Sequence, residues 1–203
     1  MKKLIEMLVK MFSKKISYDY ETLFVRLKPL FPKISEKQKE GVVTLLNAMT
    51  NLPLKQKAYI LATVYHETAK TMQPITEYGG VKYFDKYDTG SLAAALGNTP
   101  QKDGDGYKYR GRGYVMITGH SNYYKASQKL GVDFVNSPDL ALDSKHSANI
   151  LIQGMLEGWF TTRKLGSYVN KDAADYYNAR RVVNGVDDAS LIKKYAETFE
   201  QVL

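Results

Sequence analysis

Cysteine is absent from the 203-residue chain, which excludes a disulfide framework, a thiol nucleophile and any zinc site built on thiolates. Histidine is nearly as scarce. His66, His120 and His146 stand apart in the sequence, so neither a metal site nor a cofactor is expected. No apolar run is long enough to read as a transmembrane helix, and no repeat, low-complexity tract or Pro/Gly/Ser-rich linker divides the chain. The remaining composition, 44% hydrophobic and 25% charged, is that of a globular protein with one good core.

Positive charge and tyrosine are plentiful. Lys and Arg outnumber Asp and Glu by 29 to 21, a formal net charge of +8, and 16 Tyr supply most of the aromatic residues. Such a surface suits a polyanion or a carbohydrate. Nucleic acid is not expected, because no helix-turn-helix, RNP or zinc-finger pattern is present. An anionic cell envelope attracts charge of the same sign, and a basic surface also serves solubility alone.

The charge is uneven: residues 1–40 hold ten Lys/Arg against five Asp/Glu. At the start, Glu6 and Lys10 interrupt the apolar run and no small-residue cleavage site follows, so no signal peptide is expected. Leu4, Met7, Leu8, Met11 and Phe12 instead form an amphipathic stripe that can dock on the domain or on an anionic membrane or envelope. Pro29 and Pro32 then break the chain before Ser35-Glu-Lys-Gln38, a capping-box pattern. The expected division is a basic N-terminal helical segment, 1–34, and a catalytic domain, 35–203.

Beyond Asn51-Leu-Pro53, Leu61, Val64, Tyr65 and Thr68 recur with helical spacing and predict a helix with one buried side. Glu67 lies within roughly 60° of Ile60 and Val64 on that helix and therefore points to the core edge. A carboxyl group placed there loses solvation, which favours the protonated form that can act as an acid. A Glu in such a position can also be tied to a nearby Arg or Lys. From Thr76 to Gly113 the chain is rich in Gly, Tyr and Asp and has no sustained helical period, which predicts an ordered loop region with a short strand pair. Helices are expected over 121–130, from Asp143, over 171–183 and over 188–202. The class is mainly α: two helical lobes with a loop-rich central cleft.

Glu77 sits in that loop region, ten residues after Glu67. A carboxyl at an apolar helix end and another in a polar loop are the pair that glycoside hydrolysis needs, one as acid and one as base. Asp85, Asp88, Asp103 and Asp105 compete for the second role. The Asp103-Gly-Asp-Gly start resembles a calcium loop, but the twelfth position is Tyr114 where an acid is needed. In the same stretch Arg110 and Arg112 are placed to bind substrate oxygens or carboxylates. Tyr107, Tyr109, Tyr114, Tyr123 and Tyr124 divide between sugar-stacking and core roles, with Tyr109 and Arg112 read as substrate-binding.

His66-Glu67-Thr68, Glu77-Tyr-Gly-Gly80, the block Gly104 to Gly119 with its Tyr-Arg-Gly-Arg-Gly, and Ser121-Asn-Tyr123 resemble family 19 glycoside hydrolases, the chitinase-like enzymes. Asn136-Ser-Pro-Asp-Leu140, Trp159-Phe160 and Val183-Asn-Gly185 continue the likeness, over roughly residues 55–190. It is closest to the branch that bacteriophages use as endolysins. The resemblance implies a lysozyme-like (α+β) fold, with Glu67 as general acid, Glu77 activating water, Thr118 helping to hold that water, and Asn122 and Asn184 contacting sugar. Met116 stands where chitinases commonly have Gln, and the connection between the two Glu is much shorter than in plant chitinases. Both departures fit enzymes that act on bacterial peptidoglycan, with chitin or a non-catalytic wall-binding role as the alternatives. The resemblance further implies a monomer held in the host cytoplasm until lysis and then acting at the cell wall.

The basic start of the chain carries its own test. Removing Met1 to Lys15 is expected to cut the lysis rate of bacterial cell walls more at low than at high sodium chloride, because attraction to an anionic envelope is screened over roughly 8–10 Å at physiological ionic strength. A loss that is equal across the salt series assigns the segment a packing role.

Overall fold

The computed structural model describes residues 18–203; the amphipathic stripe at Leu4 to Phe12 lies outside them. Helix α1 (Tyr20–Arg26) starts at Asp19, whose carboxylate accepts from the Thr22 amide and hydroxyl. Helix α2 (Glu36–Ala48) opens on the expected capping box, with Ser35 and Gln38 exchanging bonds. Leu23, Leu27, Leu30 and Phe31 share one hydrophobic core with Val42, Leu45, Leu46 and Met49 of α2 and its C-cap, so the described part of the 1–34 segment packs into the body that follows it.

Helix α3 (Leu54–Glu67) differs from its one-sided expectation. Every residue from Gln56 to Tyr65 is buried, because other elements enclose it around its whole circumference. The C-terminal helix α9 (Ala189–Val202) makes the most extensive contact, Phe31 and Phe199 meet Tyr65 edge-on, and Tyr176 stacks on Tyr59 with ring centroids 5.9 Å apart. A helix buried on all sides takes its stability from packing more than from an amphipathic stripe. It ends at Thr68, whose hydroxyl donates to the Val64 carbonyl at 2.7 Å. Ala69, Lys70 and Met72 then adopt left-handed φ of 48°, 68° and 56°, a conformation that non-glycine residues enter only under tertiary constraint.

The chain next forms β1 (Ile75–Thr76), which pairs antiparallel with β2 (Arg112–Gly113) in a two-residue ladder. Between these strands, where a loop is expected, lie a 3-10 segment (Val81–Tyr87) and two short helices, α4 (Gly90–Leu96) and α5 (Asp105–Lys108). Phe84 and Ala93 are fully buried here, outside the main core cluster, and form a second, smaller packing centre. Helices α6 (His120–Leu130) and α7 (Ser144–Glu157) end on Gly131 and Gly158 in left-handed conformation, as the C′ preference for glycine predicts.

The helix expected over 171–183 shrinks to α8 (Tyr176–Ala179) and a 3-10 turn at Arg180–Val182. Residues 169–174 are folded instead as a hairpin bridged at Val169 and Ala174, where the Asn170 side-chain oxygen Oδ1 accepts from the amides of Asp172 and Ala173. That Asx-type turn outcompetes a helical start. In α9, Ile192, Ala196 and Phe199 face inward while Leu191 is exposed. The whole is the mainly α, lysozyme-like fold, and among the described residues no helix is long and apolar enough to cross a membrane.

Gly41 in α2 is where the strained turn after α3 meets a neighbouring helix: a Cβ there would lie 1.9 Å from the Met72 carbonyl oxygen. Gly41→Ala is therefore expected to destabilise the fold by about 1–3 kcal/mol despite the better helix propensity of alanine. For a chain of this size that lowers Tm by roughly 2–10 °C, measurable by thermal unfolding followed by circular dichroism.

Candidate active site

Glu67 occupies the last turn of α3, where the helix emerges from the core, and its side chain is 20% exposed. Its Oε1 accepts from Nη1 of Arg180, a residue whose side chain is only 4% exposed. The Arg180 Nε donates to the Asp187 carbonyl at 3.1 Å, and His66 Nε2 approaches an Asp188 carboxylate oxygen at 3.5 Å. The segment 180–188 thus wraps the end of α3. Asn184 belongs to it: its amide donates to the Arg180 carbonyl at 3.0 Å, and its side chain is exposed with Oδ1 accepting from the Gly185 amide.

Glu77 is fixed by a different set of contacts. Its amide extends the β1–β2 ladder by donating to the Gly111 carbonyl at 2.8 Å. One carboxylate oxygen accepts from the Gly111 amide at 3.1 Å and the other from the Tyr87 hydroxyl at 2.9 Å, with the Lys86 ammonium 4.0 Å away. Burial and the bond to Glu77 both raise the Tyr87 pKa, so Tyr87 keeps its proton and remains a donor. Gly111 is confined by this arrangement: a Cβ there would meet Glu77 Oε2 and Met116 Cε at 3.1 Å each. The Met116 and Glu77 side chains therefore converge over the Gly111 backbone.

Thr118 stands just beyond. After β2, Gly113 (φ 92°) and Met116 (φ 54°) turn the chain back so that Ile117 bridges to Arg112. The Thr118 hydroxyl donates to the Met116 carbonyl at 2.9 Å, and Asn122 Nδ2 donates to the Thr118 carbonyl at 2.8 Å. Gly119 (φ 86°) lets the chain pass close to Leu96, where a Cβ would come within 2.6 Å. Glu77, Thr118 and Asn122 are thus tied to one folded-back stretch, residues 109–122.

The competing carboxylates are engaged elsewhere. Asp85 pairs with Lys102 at 2.5 Å, Asp88 is buried and accepts from the Gly106 amide at 2.5 Å, and Asp103 and Asp105 bind the hydroxyl and amide of Thr99. The Thr99 hydroxyl holds the Asp103 carboxyl below its usual pKa range. These residues fix the loop rather than face a substrate. Among the described residues no group of three or more His, Asp or Glu side chains gathers to hold a metal ion.

Two expected substrate contacts are corrected. Arg112 is 3% exposed, paired with Asp139 at 2.8 Å and bonded to the carbonyls of Lys108 and Arg110 and to the Tyr123 hydroxyl. Its guanidinium is spent on holding the 108–112 turn. Tyr109, also 3% exposed, packs between His120 and Tyr123. Tyr114 and Tyr123 are interior too, and burial pushes each hydroxyl up to about 12. Tyr107 and Tyr124 are exposed. Sequence reasoning did not find Arg180; the sequence signal was an Arg-Arg pair just ahead of Val183-Asn-Gly185, and only the fold brings it to Glu67.

The family model of class I chitinases, glycoside hydrolase family 19, matches residues 46–169, more than half the chain. The chain belongs to glycoside hydrolase family 19. Two similar solved structures are a bacterial family 19 chitinase (21% identity, TM-score 0.56, covering 88% of this chain and 92% of that one) and chitinase C from Streptomyces griseus HUT6037 (14% identity, TM-score 0.57, covering 92% and 78%). At those identities the likeness is one of fold. A glycosyl hydrolase family 19 domain-containing protein of Haemophilus influenzae is 54% identical over 41 residues, a span of 20% of each chain.

Replacing Arg112 by Met is expected to lower stability by roughly 1–3 kcal/mol, because Asp139, the charge left without its partner, is largely in water. The substitution keeps the aliphatic stem but leaves the Lys108 carbonyl and the Tyr123 hydroxyl oxygen without their donor, and the Arg110 carbonyl with the Tyr123 hydroxyl alone. Chemical denaturation checks it; a variant with unchanged stability and a raised KM returns Arg112 to the substrate.

Proposed function

We propose that this family 19 glycoside hydrolase is a bacteriophage endolysin that cleaves β-1,4 glycosidic bonds of bacterial peptidoglycan by an inverting mechanism. The observation that carries the reading is the separate support of the two carboxyl groups. Glu67 is set against a buried guanidinium at the end of a buried helix, and Glu77 is held through both oxygens by a backbone amide and a tyrosine hydroxyl.

In this reading protonated Glu67 gives its proton to the glycosidic oxygen as the bond to the anomeric carbon breaks. The carboxylate left behind is stabilised by Arg180. Water attacks the opposite face and gives its proton to Glu77. The Thr118 hydroxyl spends its proton on the Met116 carbonyl, so its lone pairs are free to accept a hydrogen bond from that water. One water hydrogen points to Thr118 and the other to Glu77, and the oxygen lone pair is left for the anomeric carbon. Asn122 positions Thr118 through its carbonyl, while the exposed Asn184 is placed for sugar contact beside Arg180.

Peptidoglycan is favoured over chitin by the net charge of +8, by Met116 against Glu77, and by the short connection of nine residues between Glu67 and Glu77. Chitin is the second reading, supported by the chitinases among the similar structures. Purified bacterial sacculi and chitin oligomers, digested in parallel, separate the two. New reducing ends are expected from sacculi, and proton NMR before mutarotation is expected to show them as α-anomers. Glu67→Gln is expected to lower that rate by about 10²–10⁴, and to cost some stability as well, because the amide keeps an acceptor for Arg180 but removes its counter-charge. First-formed β-anomers overturn the water-mediated step; release from chitin alone overturns the substrate; release from neither points to a wall-binding protein.

A further inference from the structure

The stretch that follows Glu77 presents an unusual surface. Tyr78 is 98% exposed, Val81 60% and Tyr83 50%: three large apolar side chains held in water within six residues. A single exposed apolar residue is ordinary, whereas a cluster continuous with a candidate catalytic carboxylate is the mark of a contact surface. Tyr78 makes no contact on which the fold depends.

Its support is fixed. The Glu77 amide is bonded into the β1–β2 ladder, and the Tyr83 amide donates to the Gly80 carbonyl at 2.9 Å to open the 3-10 turn. The Tyr83 ring lies against the Gly79 backbone, where a Cβ would come 2.5 Å from it. Phe84 meets that ring edge-on at 5.0 Å. The Lys86 ammonium sits 3.6 Å from the Tyr83 ring centroid and 4.0 Å from Glu77 Oε1. Tyr83 and Lys86 thus pack together on the turn beside Glu77, and Tyr78, the residue next to Glu77 in the chain, stands in water at the start of the same ledge.

We propose that this ledge is a sugar-binding subsite. Tyr78 stacks on a pyranose of the same glycan strand, next to the cleaved bond on the Glu77 side, and Lys86, seated over the Tyr83 ring, faces a carboxylate borne by that sugar. A pyranose ring offers a face of C–H bonds that matches a flat aromatic ring, and tyrosine supplies such a ring at the entropic cost of only two side-chain torsions. Two observations name a glycan as the occupant: the ledge continues directly into Glu77, and Lys82 and Lys86 give it the sign that complements an acidic polymer. The inference rests on the reading of Glu67 and Glu77 as the hydrolytic pair.

The test uses the full chain carrying Glu67→Gln, which holds substrate without cutting it, titrated with peptide-free glycan strands from peptidoglycan and with chitin oligomers of equal length. Adding Tyr78→Ala is expected to raise Kd about tenfold, equal to roughly 1.4 kcal/mol, with Tm unchanged because the ring is already in solvent. Tyr78→Trp is expected to restore binding, and Lys86→Met to weaken the acidic strand more than the neutral oligomer. In the chain with Glu67 intact, Tyr78→Ala is expected to appear in KM and not in kcat. Unchanged Kd in Tyr78→Ala, where the parent does bind, overturns the subsite and leaves the hydrolytic reading standing. Failure of Tyr78→Trp to restore binding overturns ring stacking. If Tyr78→Ala abolishes self-association in sedimentation, the ledge belongs to a second copy instead. A parent that binds neither glycan removes the peptidoglycan reading and the subsite with it.

Discussion

A guanidinium withdrawn almost wholly from water must be paired, since an isolated buried charge is far more costly than a paired one, and in this protein the partner of Arg180 is Glu67. Much of the C-terminal half can be understood from that requirement. The 3-10 turn at Arg180–Val182 aims the side chain, and the Asp187 carbonyl takes its Nε–H. Asp188, in left-handed conformation, starts α9 and faces His66. Helix α9 then runs back along α3 and closes the core around it. Glu67 is held in the last turn of α3, where the buried helix emerges and the 180–188 segment packs against it.

Glu77 depends on far less structure. A two-residue ladder, one glycine and one tyrosine hydroxyl set its position, and the elements around it pack on a small centre at Phe84 and Ala93. The two carboxyl groups are therefore carried by parts of the molecule built on different scales, one on the main core and one on a thin lobe folded over short turns. The lobe gains rigidity by using its other acids internally: Asp85, Asp88, Asp103 and Asp105 each hold a loop segment.

The sequence was most legible where local chemistry decides the structure. The capping box at Ser35 and the Asp143 start of α7 are fixed by hydrogen bonds within a few residues. The Glu67 and Glu77 pair also stood out, because an acid at an apolar helix edge and an acid in a glycine-rich loop violate their surroundings. Illegible features depended on partners far along the chain. Arg112 reads as a substrate clamp until Asp139 and Tyr123 fold over it. Tyr109 reads as a sugar platform until α6 covers it. Arg180 stands in an Arg-Arg pair, but nothing near it in the sequence points to Glu67. The expected 171–183 helix failed for a local reason, because the Asn170 turn forms in its place.

The pairing of Glu67 with Arg180 spans 113 residues of sequence, and that separation has a consequence in time. Synthesis runs from the N-terminus at about 5–20 residues per second, and contacts between distant residues form only after the intervening chain exists. Helix α3 and the whole Glu77 lobe leave the ribosome before the residue that pairs with Glu67. A growing chain thus carries both carboxyl groups for several seconds without the charge that steadies one of them. The contact between Glu67 and Arg180 is thus among the last that the growing chain can make.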